Sequence, residues 1–158
     1  TADHVTEVKV IRNGKLRTLS KEDCGFVYRN SNLKNTVILE AAFKLPIGNK
    51  EEISQKRKEL IMNRNQAQPV EVPNAGCMFK NPKDNKAAIL IDQCGLKGTK
   101  FGGAMVSTKH ANFIVNFDNA TAQDVIELVK IVKNTVHQKT GIDLEMEVKL
   151  IGFEEVTI

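Results

Sequence analysis

The run PNAGCMFKNP, residues 73–82, sets Cys77 among turn-forming residues, with Lys80 and Asn81 just beyond it. Asn74, Ala75 and Gly76 favour a turn that exposes backbone N–H groups, and a thiol close to positive charge is a better proton donor or nucleophile than an isolated one. A lone cysteine can equally be a small buried apolar side chain. Local sequence leaves Cys77 open between packing and chemistry. Tyr28 and Arg29 stand together in the polar stretch CGFVYRNSNLKN. They read either as a surface pair or as an arginine fork for a carboxylate or phosphate. Glu147 sits on the polar face of LEMEVKLIG. It is either solvated or the lining of a cleft, where burial would raise its pKa toward the range of acid catalysis.

Other residues carry weaker signals. His110, in STKHANF, has no second histidine or carboxylate at ligand spacing, so no metal site is expected there. His4 and His137 read as surface residues. Gly102 and Gly103 would allow a backbone to approach a ligand closely. No phosphate-binding loop, dinucleotide fingerprint or nucleophile elbow occurs.

These residues need elements to hold them. VTEVKVIRNGKLRTLS alternates on both sides of Asn13-Gly14, the strongest short hairpin signal, and VILEAAFKL predicts a further strand closed by Pro46. GNKEEISQKRKELIMNRNQAQP predicts a helix ending before Pro69, with acidic residues first, basic ones later, and Ile53, Arg57, Leu60 and Ile61 on one face. A domain boundary is expected near residues 47–50. A short helix in NKAAILIDQCGLKG stops at Gly95, FGGA is a glycine turn, and HANFIVNF is a strand. Residues 121–140 form the clearest helix. Thr121 and Asp124 make a capping box, Val125, Leu128, Val129, Val132 and Val136 make an apolar stripe, and Gly141 stands at the C-cap. LEMEVKLIG predicts a final strand with Leu144, Met146, Val148 and Leu150 on one face. Together the elements predict an α+β fold with antiparallel pairing and packed helices.

The totals narrow the function classes. The chain has 158 residues, a net charge of +4, 41% apolar and 27% charged residues, and only 5% aromatic residues without tryptophan. Scattered lysines and few aromatics argue against a nucleic-acid binder, while the charge suits a phosphorylated ligand. No apolar run reaches the length of a membrane span, so no membrane partner is expected. Three widely spaced cysteines predict thiols rather than a disulfide framework, and a cytoplasmic location is expected.

Four segments in order, GFVYRNS, QPVEVPNAGCMFKNP, LIDQCGLKGTKFGGAMVSTKHANFIVNFDNATAQDV and LEMEVKLIG, closely resemble the C-terminal half of the UDP-N-acetylenolpyruvoylglucosamine reductases (the MurB family). The likeness covers essentially the whole chain. It implies a flavoenzyme of peptidoglycan synthesis, hence of cell-wall biogenesis, cell shape and cell division. In such an enzyme NADPH reduces FAD, and hydride then passes to UDP-N-acetylglucosamine enolpyruvate to give UDP-N-acetylmuramate. On the same resemblance, Arg29 stabilises the enolpyruvyl carboxylate as charge develops, with Tyr28 beside it as a substrate contact. Cys77 stands where a proton-donating serine is usual. Glu147 polarises or helps protonate the intermediate, and Asn81 contacts substrate.

The resemblance also implies that residues 1–46 are the tail of the FAD-binding domain, a β-rich remnant, and that 47–158 are the substrate-binding domain. The glycine-rich flavin loops of the family are absent from these residues. The chain is therefore expected to be a fragment that does not retain FAD alone and is inactive without the missing N-terminal FAD-binding segment. Two alternatives stand beside this expectation. One is a stand-alone UDP-sugar-binding module without redox chemistry; the other is a thiol enzyme with Cys77 as nucleophile.

Overall fold

The computed structural model describes residues 2–152. The chain divides into two compact units, residues 1–53 and 54–158. It is α+β, with antiparallel sheets in both units and helices packed in the second.

The first unit is a three-stranded sheet in the order β2-β1-β3, from β1 (Val5–Arg12), β2 (Lys15–Ser20) and β3 (Val37–Phe43). Asn13 and Gly14, at φ 52° and 70°, close the β1–β2 hairpin, so Arg12 faces Lys15. Both turn residues are left-handed, which matches the twist of the two strands. The unit's core is small: Val5, Val8, Val10 and Cys24 are buried, with Leu19, Phe26 and Leu33 packed beside them. Burial pushes the Cys24 thiol pKa up, and Asp23 adds to the shift.

Helix α1 (Lys50–Ala67) follows and ends before Pro69, where its sequence predicts. Its start is fixed by an asparagine cap. The Asn49 Oδ1 accepts the N–H groups of Glu51 and Glu52 at 2.9 and 3.0 Å. The expected apolar face, however, is not buried: no residue of α1 is buried, and Ile53, Leu60 and Ile61 are exposed. That face is interrupted by Arg57 and Arg64, so it offers three apolar side chains rather than a continuous stripe. Caps and neighbour pairs such as Gln55–Glu59 hold the helix instead.

The second unit carries a four-stranded antiparallel sheet in the order β4-β7-β6-β5, formed by β4 (Asn74–Cys77), β5 (Lys100–Phe101), β6 (Ala104–Val106) and β7 (Phe113–Asn116). Helices α2 (Ala87–Gln93) and α3 (Ala122–Thr140) supply the rest of its core. Leu90 and Ile91 from α2 and Leu128, Val129, Val132 and Val136 from α3 pack with Met78, Phe79, Val106 and Ile114. Both ends of α3 are built as its sequence predicts. Thr121 and Asp124 form a reciprocal capping box, and Gly141 ends the helix in the left-handed region at φ 69°. The stripe differs in one residue: Ile126 is buried, whereas Val125 is only partly so.

At the glycine turn the chain's own backbone makes the close approach. A Cβ on Gly103 would fall onto the Asp118 carbonyl and the Ala120 backbone, whose loop packs directly against it. The Gly103 carbonyl in turn accepts the N–H groups of Phe117 and Asp118.

The predicted final strand does not form. Residues 144–152 hold one antiparallel bridge, Met146 to Phe79. The reason lies in the partner. β4 ends at Cys77, and only residues 78–81 lie between it and Pro82, which has no N–H to extend a ladder.

Candidate active site

Cys77 owes its position to a bulged strand. Asn74 accepts the Gly76 N–H at its Oδ1 (2.9 Å) and donates through Nδ2 to the carbonyls of Pro69 (2.9 Å) and Val72 (2.7 Å). Gly76 takes φ 82°, a conformation glycine adopts without strain. β4 therefore pairs with β7 out of step: Asn74 faces Val115 and Cys77 faces Phe113, with the irregularity between them. Bulges of this kind re-aim a side chain beside functional sites. Cys77 is half-buried, unlike Cys24 and Cys94, which are buried.

The three residues after Cys77 form a hub. Met78 donates its N–H to the Asn112 carbonyl at 2.8 Å, and its own carbonyl accepts the Glu147 N–H at 2.9 Å. Phe79 is gripped twice by one side chain. Its N–H goes to the Asn112 Oδ1 (2.9 Å), and its carbonyl accepts from the Asn112 Nδ2 (2.8 Å). The Lys80 N–H reaches the Glu145 carbonyl at 2.8 Å. Cys77 and Glu147 are thus carried on two backbone segments joined by hydrogen bonds across residues 78–80. The Lys80 ammonium is ion-paired with the Glu145 carboxylate, so its charge is partly balanced within the same hub.

Asn81 follows directly. It is exposed, and its Oδ1 accepts the Ala87 N–H at 3.1 Å, tying the loop to the start of α2. It lines an open cleft of about 450 Å³ with Asp84, Asn85, Lys86 and Ile89.

Tyr28 and Arg29 belong to the first unit, and their setting is tighter than a polar loop. Val27 and Asn30 exchange both backbone hydrogen bonds (3.0 and 3.2 Å), which makes Tyr28 and Arg29 the two central residues of a turn. Arg29 is held at φ 56°, a left-handed conformation that costs a non-glycine residue about 1–2 kcal/mol. Its guanidinium lies 5.7 Å from the Tyr28 ring centre, within reach of a cation–π contact.

His110 is structural in its contacts. Its Nδ1 accepts the Asn112 N–H at 3.3 Å, and its ring meets Phe113 edge-on at 4.8 Å. Burial holds its pKa below the usual imidazole range. Among the described residues no group of three or more His, Cys, Asp or Glu side chains is placed to hold a metal ion. No helix there is long and apolar enough to cross a membrane.

Sequence reasoning missed Asn112. It is a polar residue at the mouth of a buried run, 3% exposed, and its partner lies 33 residues away. The only local sign is an asparagine where the pattern asks for an apolar residue.

The fold as a whole is similar to that of a solved reductase. The crystal structure of UDP-N-acetylenolpyruvylglucosamine reductase from Thermus caldophilus matches with a TM-score of 0.82 at 39% identity, covering 94% of this chain and 53% of that one. A model of the UDP-N-acetylenolpyruvoylglucosamine reductase C-terminal domain matches residues 68–151, and the chain belongs to that family. The reductase of Chloroherpeton thalassium is 47% identical, across 94% of this chain and 50% of its own length. Reductase 2 of Bacillus thuringiensis subsp. konkukian is 48% identical, with the same two coverages. The chain spans about half the length of the curated relatives it matches.

Proposed function

We propose that this chain supplies the substrate- and proton-handling half of an FAD- and NADPH-dependent reductase. Its substrate would be UDP-N-acetylglucosamine enolpyruvate and its product UDP-N-acetylmuramate, for peptidoglycan synthesis in the cytoplasm. In this reading residues 1–46 are the tail of a flavin-binding domain and 47–158 the substrate-binding domain. The relatives' name and the family match support the reaction. What carries the residue assignment is the hub that joins the Cys77 strand to Glu147.

The described residues do not by themselves fit a flavin cradle. In the first unit, Gly14 closes a hairpin, and a Cβ on Gly25 would fall on the Asn32 side chain, so neither stands in a row of N–H groups open to a pyrophosphate. We infer that FAD is held chiefly by other residues. Flavin absorbance after FAD addition and gel filtration tests this: the 158-residue chain elutes without flavin, and stoichiometric retention would overturn the inference.

The flavin supplies the hydride in this reading, and the chain's residues manage charge and the proton. The Arg29 guanidinium stabilises the enolate that develops on the enolpyruvyl carboxylate, and Tyr28 lies against that guanidinium. The Cys77 thiol gives its proton to the carbanion-like carbon, forming the C–H bond, and is itself left as a thiolate to be reprotonated from water. A thiol with an ordinary pKa near 8.5 donates far more readily than the hydroxyl of a serine. Glu147 assists the same transfer, and Asn81 contacts substrate from its cleft.

In the flavin-loaded enzyme containing this chain, Cys77→Ala should leave flavin reduction by NADPH intact and slow product formation about 10²–10⁴-fold, the usual worth of a general acid. Cys77→Ser should fall between wild type and the alanine variant, because its hydroxyl still carries a transferable proton but gives it up less readily. An alanine variant with normal product formation would sink the acid role. If the isolated chain instead binds UDP-N-acetylglucosamine derivatives tightly without flavin, the sugar-nucleotide-binding module becomes the better description.

A further inference from the structure

We propose that Asn112 is a positioning residue for Cys77 and Glu147; this rests on the roles proposed for those two side chains. The Asn112 carboxamide satisfies both polar groups of Phe79, 33 residues away, at 2.9 and 2.8 Å, and the Asn112 backbone carbonyl takes the Met78 N–H at 2.8 Å.

Residues 78–80 lack a full strand partner on the side of residues 144–148, where a single bridge forms. On the other side β7 begins only at Phe113. Asn112, just before β7, therefore continues the ladder beyond the strand's first residue, with its backbone carbonyl on Met78 and its carboxamide on Phe79. Met78 and Phe79 are each 2% exposed, so water cannot replace these bonds. The segment so fixed is the one whose Met78 carbonyl holds the Glu147 N–H and whose N-terminal neighbour is Cys77. Asn112 is itself oriented by its N–H bond to the His110 Nδ1.

The test uses the 158-residue chain and its own cysteines. Cys77 is half-buried and lies beside the clasp; Cys94 is buried in the core of the same unit and reports global opening. With Asn112→Ala, alkylation of Cys77 by iodoacetamide should accelerate about ten- to a hundredfold, the population change expected when buried backbone groups lose their partners, while Cys94 stays within about twofold. Equal acceleration at both thiols would mean a merely structural residue, and no acceleration at Cys77 would mean no clasp.

Asn112→Asp keeps the shape and remains informative if the alanine variant does not fold. Protonated, the introduced carboxyl both donates and accepts as the carboxamide does. Ionised, it faces the Phe79 carbonyl with a second acceptor. The backbone N–H signals of Phe79 and Glu147 should therefore match wild type at low pH and depart together as the introduced carboxyl ionises. Signals that never depart, or a Phe79 signal that moves without that of Glu147, would overturn the proposal. Loss of catalytic importance for Cys77 would show separately, as normal turnover by Cys77→Ala in the flavin-loaded enzyme, and would leave these signals unchanged.

Discussion

The two units solve the burial problem differently. In the second, helices α2 and α3 cover the sheet, and sixteen described residues form one buried apolar cluster. In the first, three strands gather around four buried residues, and Leu16, Val37, Ile38, Leu39 and Phe43 are exposed on the sheet. Strands alone cannot close a core; a second layer must lie over them. The proposed chemistry divides along the same line. Cys77 and Glu147 are carried by backbone tied into the large core, whereas Arg29 sits in an exposed, left-handed turn.

Core truncation should separate the units most strongly. Leu128 is fully buried, so Leu128→Ala should cost about 2–5 kcal/mol in urea unfolding of the second unit. Leu39→Ala, on the exposed face of β3, should shift the first unit by no more than about 0.5 kcal/mol. Similar losses from both would mean that the two units are buried to the same extent.

Gly103→Ala comes next, because its Cβ has nowhere to go but onto the 118–120 backbone. A loss of about 1–3 kcal/mol is expected for such overpacking, seen as a lower thermal midpoint of the second unit. Unchanged stability would show that the loop yields easily.

Arg29→Gly should move stability the other way. Glycine accepts φ 56° without strain, so the first unit should gain up to about 1 kcal/mol, while turnover in the flavin-loaded enzyme falls. A gain in stability with turnover intact would break the link between strain and function at this turn.

The smallest effect concerns pH. Because burial lowers the His110 pKa in the folded state, the unfolded chain binds the proton first as pH falls. Stability from this group is complete above about pH 6.5 and declines as pH drops through the folded value. His110→Gln should flatten that part of the second unit's stability profile, measured by denaturant midpoints between neutral and mildly acid pH. A profile identical to wild type would remove His110 from the account.

How much could be read beforehand depended on how local each cause was. The Asn13-Gly14 hairpin, the Thr121–Asp124 box and the Gly141 cap were legible because turn and cap geometry involve residues within four positions of one another. Arg29's turn was not. A tyrosine-arginine pair has no turn preference, and only the paired backbones of Val27 and Asn30 force the left-handed conformation. Alternation in LEMEVKLIG misled because it describes the faces of a segment, not the length of its partner.

By itself, then, the sequence determined the antiparallel α+β plan, the helix ends, the family likeness and the residues chemically able to act. Their periodicities and caps are short-range, and their motifs are read in order along the chain. Tertiary structure alone decided that the apolar residues of α1 stay exposed, that β4 is bulged ahead of Cys77, and that Asn112 clasps Phe79 across 33 residues. Those outcomes depend on which backbone groups are left without a partner once the core has formed, and that becomes definite only when distant segments meet.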